Sequence, residues 1–139
     1  MLIEFDAADS STSCTRRERS NTPTQALTLW NDPVFIECAQ ALGRRMIQDT
    51  TGNSTGPTPT QQIDYVFNVC LSRRPSAAER LVLIRFYEKQ RSRYQSDHVA
   101  AAALTGRATL PKGALRENVA AAIALARTII NLDEFITRE

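Results

Sequence analysis

Apolar side chains recur along this sequence at steps of three and four, and clusters of proline, glycine, serine and threonine cut the pattern into helix-length pieces. Phe35, Cys38, Ala39, Leu42 and Met46 mark one stripe, leaving Glu37, Gln40, Arg44 and Gln48 to solvent. Ile63, Val66, Phe67, Cys70 and Leu71 mark a second, on a helix from about Thr60 that Arg73, Arg74 and Pro75 end. From Ser76 to about Tyr94, the residues Leu81, Val82, Leu83, Ile84, Phe86 and Tyr87 sweep about 260° of the helix circumference. So broad an apolar arc predicts a central helix touched on several sides. A small alanine-rich helix over 97–105 and a loop from Gly106 to Gly113 lead to a last long helix, over about 114–131. Val119, Ala122, Ile123, Ala126, Ile129 and Ile130 share its face, and its alanines allow a neighbour to approach closely.

The punctuation fixes where these helices start. Thr22, Pro23 and Gln25 form a capping box with proline at the first helical position, where a missing N–H costs nothing. Ala26, Leu27, Leu29 and Trp30 supply that helix with apolar residues. Pro33 pushes Asp32 out of helical angles, so the first helix stops there and Asp32 caps a second. Ser76 and Glu79 make another capping box, and residues 50–59 read as a loop. Residues 1–21 lack sustained periodicity and read as an extended arm, with a short ordered piece around Leu2, Ile3 and Phe5. The expected fold is all-α: an irregular, largely antiparallel bundle of about five to six helices, with the helical domain spanning 22–139.

Composition narrows the function classes. At 139 residues the chain suits one domain, and 17 Lys and Arg against 15 Asp and Glu are too balanced to imply nucleic acid or an anionic membrane. No apolar run approaches the ~18 residues of a membrane span. The start MLIEFDAADSS is acidic where a secretory signal needs a basic one, so no signal peptide is expected within the chain. Cys14, Cys38 and Cys70 lie far apart beside a single histidine, which gives no metal-ligand spacing and no haem-attachment motif. No metal, cofactor or catalytic residue is therefore assigned. Cys38 and Cys70 read as small hydrophobes on separate helices, able to form a bridge if those helices meet face to face.

Three stretches carry a resemblance: CTRRERSNTPTQALTLWNDPVFIECAQALGRR from Cys14 to Arg45, LSRRPSAAE from Leu71 to Glu79, and NLDEFITRE from Asn131 to Glu139. In that order they resemble the C-terminal part of a planctomycete-type family of large exported proteins. Such proteins carry a cytochrome-c-like domain and paired domains of unknown function, sometimes with a lectin-like jelly roll. The resemblance implies a chain that is the C-terminal module of a longer periplasmic or exported protein, with any haem in an upstream domain. Thr24 stands where the resemblance leads one to expect leucine.

Arg16, Arg17, Arg19 and Asn21, beside the free N–H groups of a helix start, are candidates to hold an anion or pin the arm. Trp30 and Asp32 are interface candidates, although the plainer reading of Trp30 is that it fills the crevice between two short helices. Asp133 and Glu134, adjacent and so pointing apart, read as docking the C-terminal segment. The expected function is a non-catalytic module that packs on the upstream domain of its own protein and docks a protein partner or a polysaccharide. The alternative is part of an enzyme acting on acidic or sulfated polysaccharide, with the arginines as its anion site. A second alternative, nucleic-acid binding through residues 73–93, is disfavoured because only Arg85, Lys89 and Arg93 form a row.

Overall fold

The computed structural model describes residues 22–50 and 58–136. The expected arm, Cys14, the arginine candidates and Asn21 lie outside the described residues, as does most of the 50–59 loop. The described residues are all-α. The helices are α1 (Pro23–Asn31), α2 (Pro33–Thr50), α3 (Pro59–Leu71), α4 (Ala77–Ser96), α5 (His98–Thr105), α6 (Arg116–Ile130) and α7 (Asp133–Ile136).

Local chemistry places the helix starts where the sequence put them, and one more. Thr22 accepts from the Gln25 N–H at 3.3 Å while the Gln25 side chain accepts from the Thr22 N–H at 3.0 Å. The same tetrapeptide, TPTQ, recurs at 58–61, where Thr58 and Gln61 close an identical box and open α3. Asp32 Oδ1 accepts from the Val34 N–H at 2.8 Å, capping α2 at the proline-led corner. Ser76 and Glu79 cap α4, and Asp97 caps α5 through the Ala100 N–H. The turn out of α3 requires Ser72 to adopt φ 56°, a left-handed cap more often given to glycine.

The centre of the bundle is α6, not α4. Nine of the fifteen residues of α6 are buried, and α2, α3, α4, α5 and α7 all pack on it. On α4 only Leu83, Tyr87 and Tyr94 are buried, whereas Leu81 and Val82 stand 51% and 63% exposed on its outward side. A wide apolar arc had implied contact all round. Alanines settled the matter instead, since Ala120, Ala121, Ala122 and Ala126 let neighbours come close enough to cover every side of α6.

Close approach also explains the orientation of α2. Its buried residues are Ala39, Gly43, Met46 and Ile47, so the helix is turned from the expected stripe and Cys38 points to solvent. Gly43 sits against the α6 backbone: a Cβ there would lie 2.6 Å from Ile123 Cγ1 and 2.8 Å from Ile123 Cα. The rotation brings Gln40 and Arg44, expected in solvent, against the C-terminal end of α5. There Gln40 donates to the Leu104 carbonyl at 2.9 Å and Arg44 to that of Thr105 at 3.4 Å. These donors satisfy carbonyls that the helix end leaves without intrahelical partners. Cys38 and the half-buried Cys70 are both free thiols, and burial pushes the Cys70 thiol upward.

Candidate functional site

Three polar or mixed features stand out on this scaffold. The first is the α1–α2 corner. Trp30 does not fill the crevice between those helices. It is 40% exposed, with the Arg127 guanidinium from α6 lying 4.5 Å over its ring centroid. Arg127 Nη2 also donates to the Trp30 carbonyl at 2.5 Å, so a single α6 side chain holds both ends of the tryptophan. Arg127 has no carboxylate partner among the described residues. Leu27 and Val34 are exposed in the same corner, while Leu29 and Gln25 on the opposite side of α1 are buried. Thr24 is exposed, as suits a threonine in place of leucine. Of the candidates named from sequence, the structure brings Trp30 and Asp32 into this corner, where Asp32 is engaged as the α2 cap.

The second feature is a clamp that joins two of the three motifs. Arg73 Nε and Nη2 each donate to Glu134 at 2.6 Å, and Nη2 and Nη1 donate to Glu79 at 2.7 and 3.0 Å. Nη1 also reaches the Arg74 carbonyl at 3.2 Å, and the guanidinium lies 5.1 Å from the Phe67 ring centroid. Glu79 accepts from the Ser76 N–H at 2.7 Å, so its carboxylate both caps α4 and grips Arg73. Arg73, then its own cap bonds, pull the Glu79 carboxyl down to about 2. Arg73 likewise holds Glu134 below the usual carboxylate range. Glu134 thus docks α7 onto the α3–α4 turn, and Asp133 and Glu134 do not form a paired site.

The third feature, which pattern reading missed, is a polar concavity of about 570 Å³ between the end of α2 and α3. Tyr65 donates to Asp49 Oδ2 at 2.5 Å, and Arg45 donates to the same oxygen at 3.2 Å. The Tyr65 bond chiefly lowers Asp49, while burial and then Asp49 push the Tyr65 hydroxyl up to about 12. Asp64 Oδ1 accepts two bonds from Arg80, at 3.1 and 2.8 Å. The available signal was the polar set Gln61, Asp64 and Asn68 on successive turns of α3, which reads as an ordinary solvated face until α2 is placed beside it.

With Arg73 and Arg80 held in ion pairs, the basic excess of residues 73–93 is only partly free, leaving Arg74, Arg85, Lys89, Arg91 and Arg93 exposed. Among the described residues no group of three His, Cys, Asp or Glu side chains gathers to hold a metal ion. No helix among them is long and apolar enough to cross a membrane.

Fold and surface together define a small all-α module, built around an alanine-rich helix and tied shut by a buttressed arginine. The model of the family described as PSD1, a protein of unknown function (DUF1553), matches residues 1–87, and the chain belongs to that family. The match takes in the Cys14–Arg45 and Leu71–Glu79 motifs and stops within α4. No curated protein and no solved structure matches the chain.

Proposed function

We propose that this chain is a non-catalytic helical module that packs against a further domain of its own polypeptide through the α1–α2 corner. The observation that carries this reading is the exposure of Leu27 at 62%, Val34 at 52% and Trp30 at 40%, beside a cation without a carboxylate partner among the described residues. Tryptophan and arginine are the side chains most enriched where interfaces concentrate their energy. The corner lies close to Thr22, the N-cap of α1, so a domain joined through the preceding segment is the surface nearest to hand. The sequence resemblance supports placing that domain in a large exported protein, with haem held upstream and outside this chain.

Trp30 is the only tryptophan, which makes the reading directly measurable. In the protein encoded with its in-frame upstream region, with every tryptophan other than Trp30 changed to phenylalanine, the emission should shift to shorter wavelength and acrylamide quenching should fall relative to residues 1–139 alone. Equal quenching in the two proteins, or a stop codon immediately upstream in frame, overturns the proposal.

A further inference from the structure

The concavity between α2 and α3 presents hydrogen-bonding groups that no described residue engages. Asp49 Oδ1 and Asp64 Oδ2 accept no bond from a described residue, because the bonds from Tyr65, Arg45 and Arg80 all fall on the other oxygen of each carboxylate. Gln61 spends its oxygen on the Thr58 cap, and its amide N–H groups donate to no described residue. The Asn68 side-chain amide and the Arg74 guanidinium, both exposed, make no side-chain bond to a described residue. All of these line one hollow, whose volume falls in the range of about 300–1,000 Å³ common for small-ligand sites.

The balance of these groups identifies the class of ligand. Two carboxylate oxygens accept, while two amides and a guanidinium donate, so the matching partner offers several groups that each do both. Hydroxyls do so. An anion would meet Asp49 and Asp64, and a cation would meet Arg74, with Arg45 and Arg80 behind the carboxylates. Free charge therefore gains little here. We infer that the concavity between α2 and α3 binds a neutral polyhydroxylated ligand, a sugar unit, through Asp49, Asp64, Gln61, Asn68 and Arg74. Eighteen-residue α2 separates it from the Trp30 corner by roughly 27 Å, so this inference stands independently of the docking role.

The test is a titration of residues 1–139 with glucose and, separately, with cellotetraose, followed through the side-chain amide signals of Asn68 and Gln61 by NMR. Saturable shifts with either sugar support the site: glucose binding marks a free monosaccharide as sufficient, while a response to cellotetraose alone marks a chain. The double variant Asn68→Ala, Arg74→Ala changes only exposed side chains and, read at the remaining Gln61 amide, should weaken binding about tenfold or more. The proposal is overturned by unmoved amide signals with both sugars, by an undiminished response in the double variant, or by saturable shifts with inorganic phosphate in their place.

Discussion

Gly43 lets the α2 backbone come up against the backbone of α6, and no other residue can do so there without something shifting. The atoms nearest to an added methyl would be Ile123 Cγ1, Cα and N, at 2.6 to 2.8 Å, of which two belong to the main chain and cannot swing aside. Replacing helical glycine by alanine ordinarily gains about 1 kcal/mol. Here the clash should reverse the sign, because forcing an extra methyl into a packed core costs about 1–3 kcal/mol. Gly43→Ala should therefore lower the urea midpoint, a net loss of about 1 kcal/mol. An unchanged or raised midpoint would show that α2 and α6 do not cross at this point.

Among the helices, the Arg73 clamp is what fastens α7 to the α3–α4 turn. The sign of its pH dependence follows from Glu79, whose carboxyl is held at about 2 against 4.5 when free. A depressed folded-state pKa contributes stability that is fully present above pH 4.5 and lost as the pH falls toward about 2. Urea midpoints of the parent chain should therefore drop across that window, and Glu79→Gln should flatten the drop. Glu134→Gln should act in the same direction but more weakly, since that carboxylate is the more exposed partner. Much of this level was legible beforehand. Capping boxes at Thr22 and Ser76, the Asp32 cap and the stripes of α3 and α6 follow from spacing, because hydrogen bonds within one turn are local. What spacing missed depends on distant contacts. Cys38 faces solvent because Gly43 must face Ile123, and Gln40 is drawn inward by a carbonyl sixty-four residues away. The concavity was hidden for the same reason, as its lining is drawn from both α2 and α3.

Across the molecule, the family match and the folding unit have different limits. The match ends at residue 87, within α4, whereas the helix on which α2, α3, α4, α5 and α7 pack spans Arg116–Ile130. Residues 1–87 lack Val119, Ile123, Leu125 and Ile129, all of them fully buried in the core. A fragment of residues 1–87 should then fail to fold on its own: weak helical circular dichroism, no cooperative melt, and association through uncovered apolar faces. Residues 1–139 should melt in one transition. A cooperative, monomeric fragment would mean that α6 is an addition to a core complete without it.

That placement of α6 also bears on synthesis. Growing from its amino end, the nascent polypeptide exposes the oily sides of four helices before the strut that unites them has left the ribosome. Until then Met46, Ile63 and Phe67 can only wait or find the wrong company, so a chaperone that shields the first half of the chain should raise yield more than one acting after release.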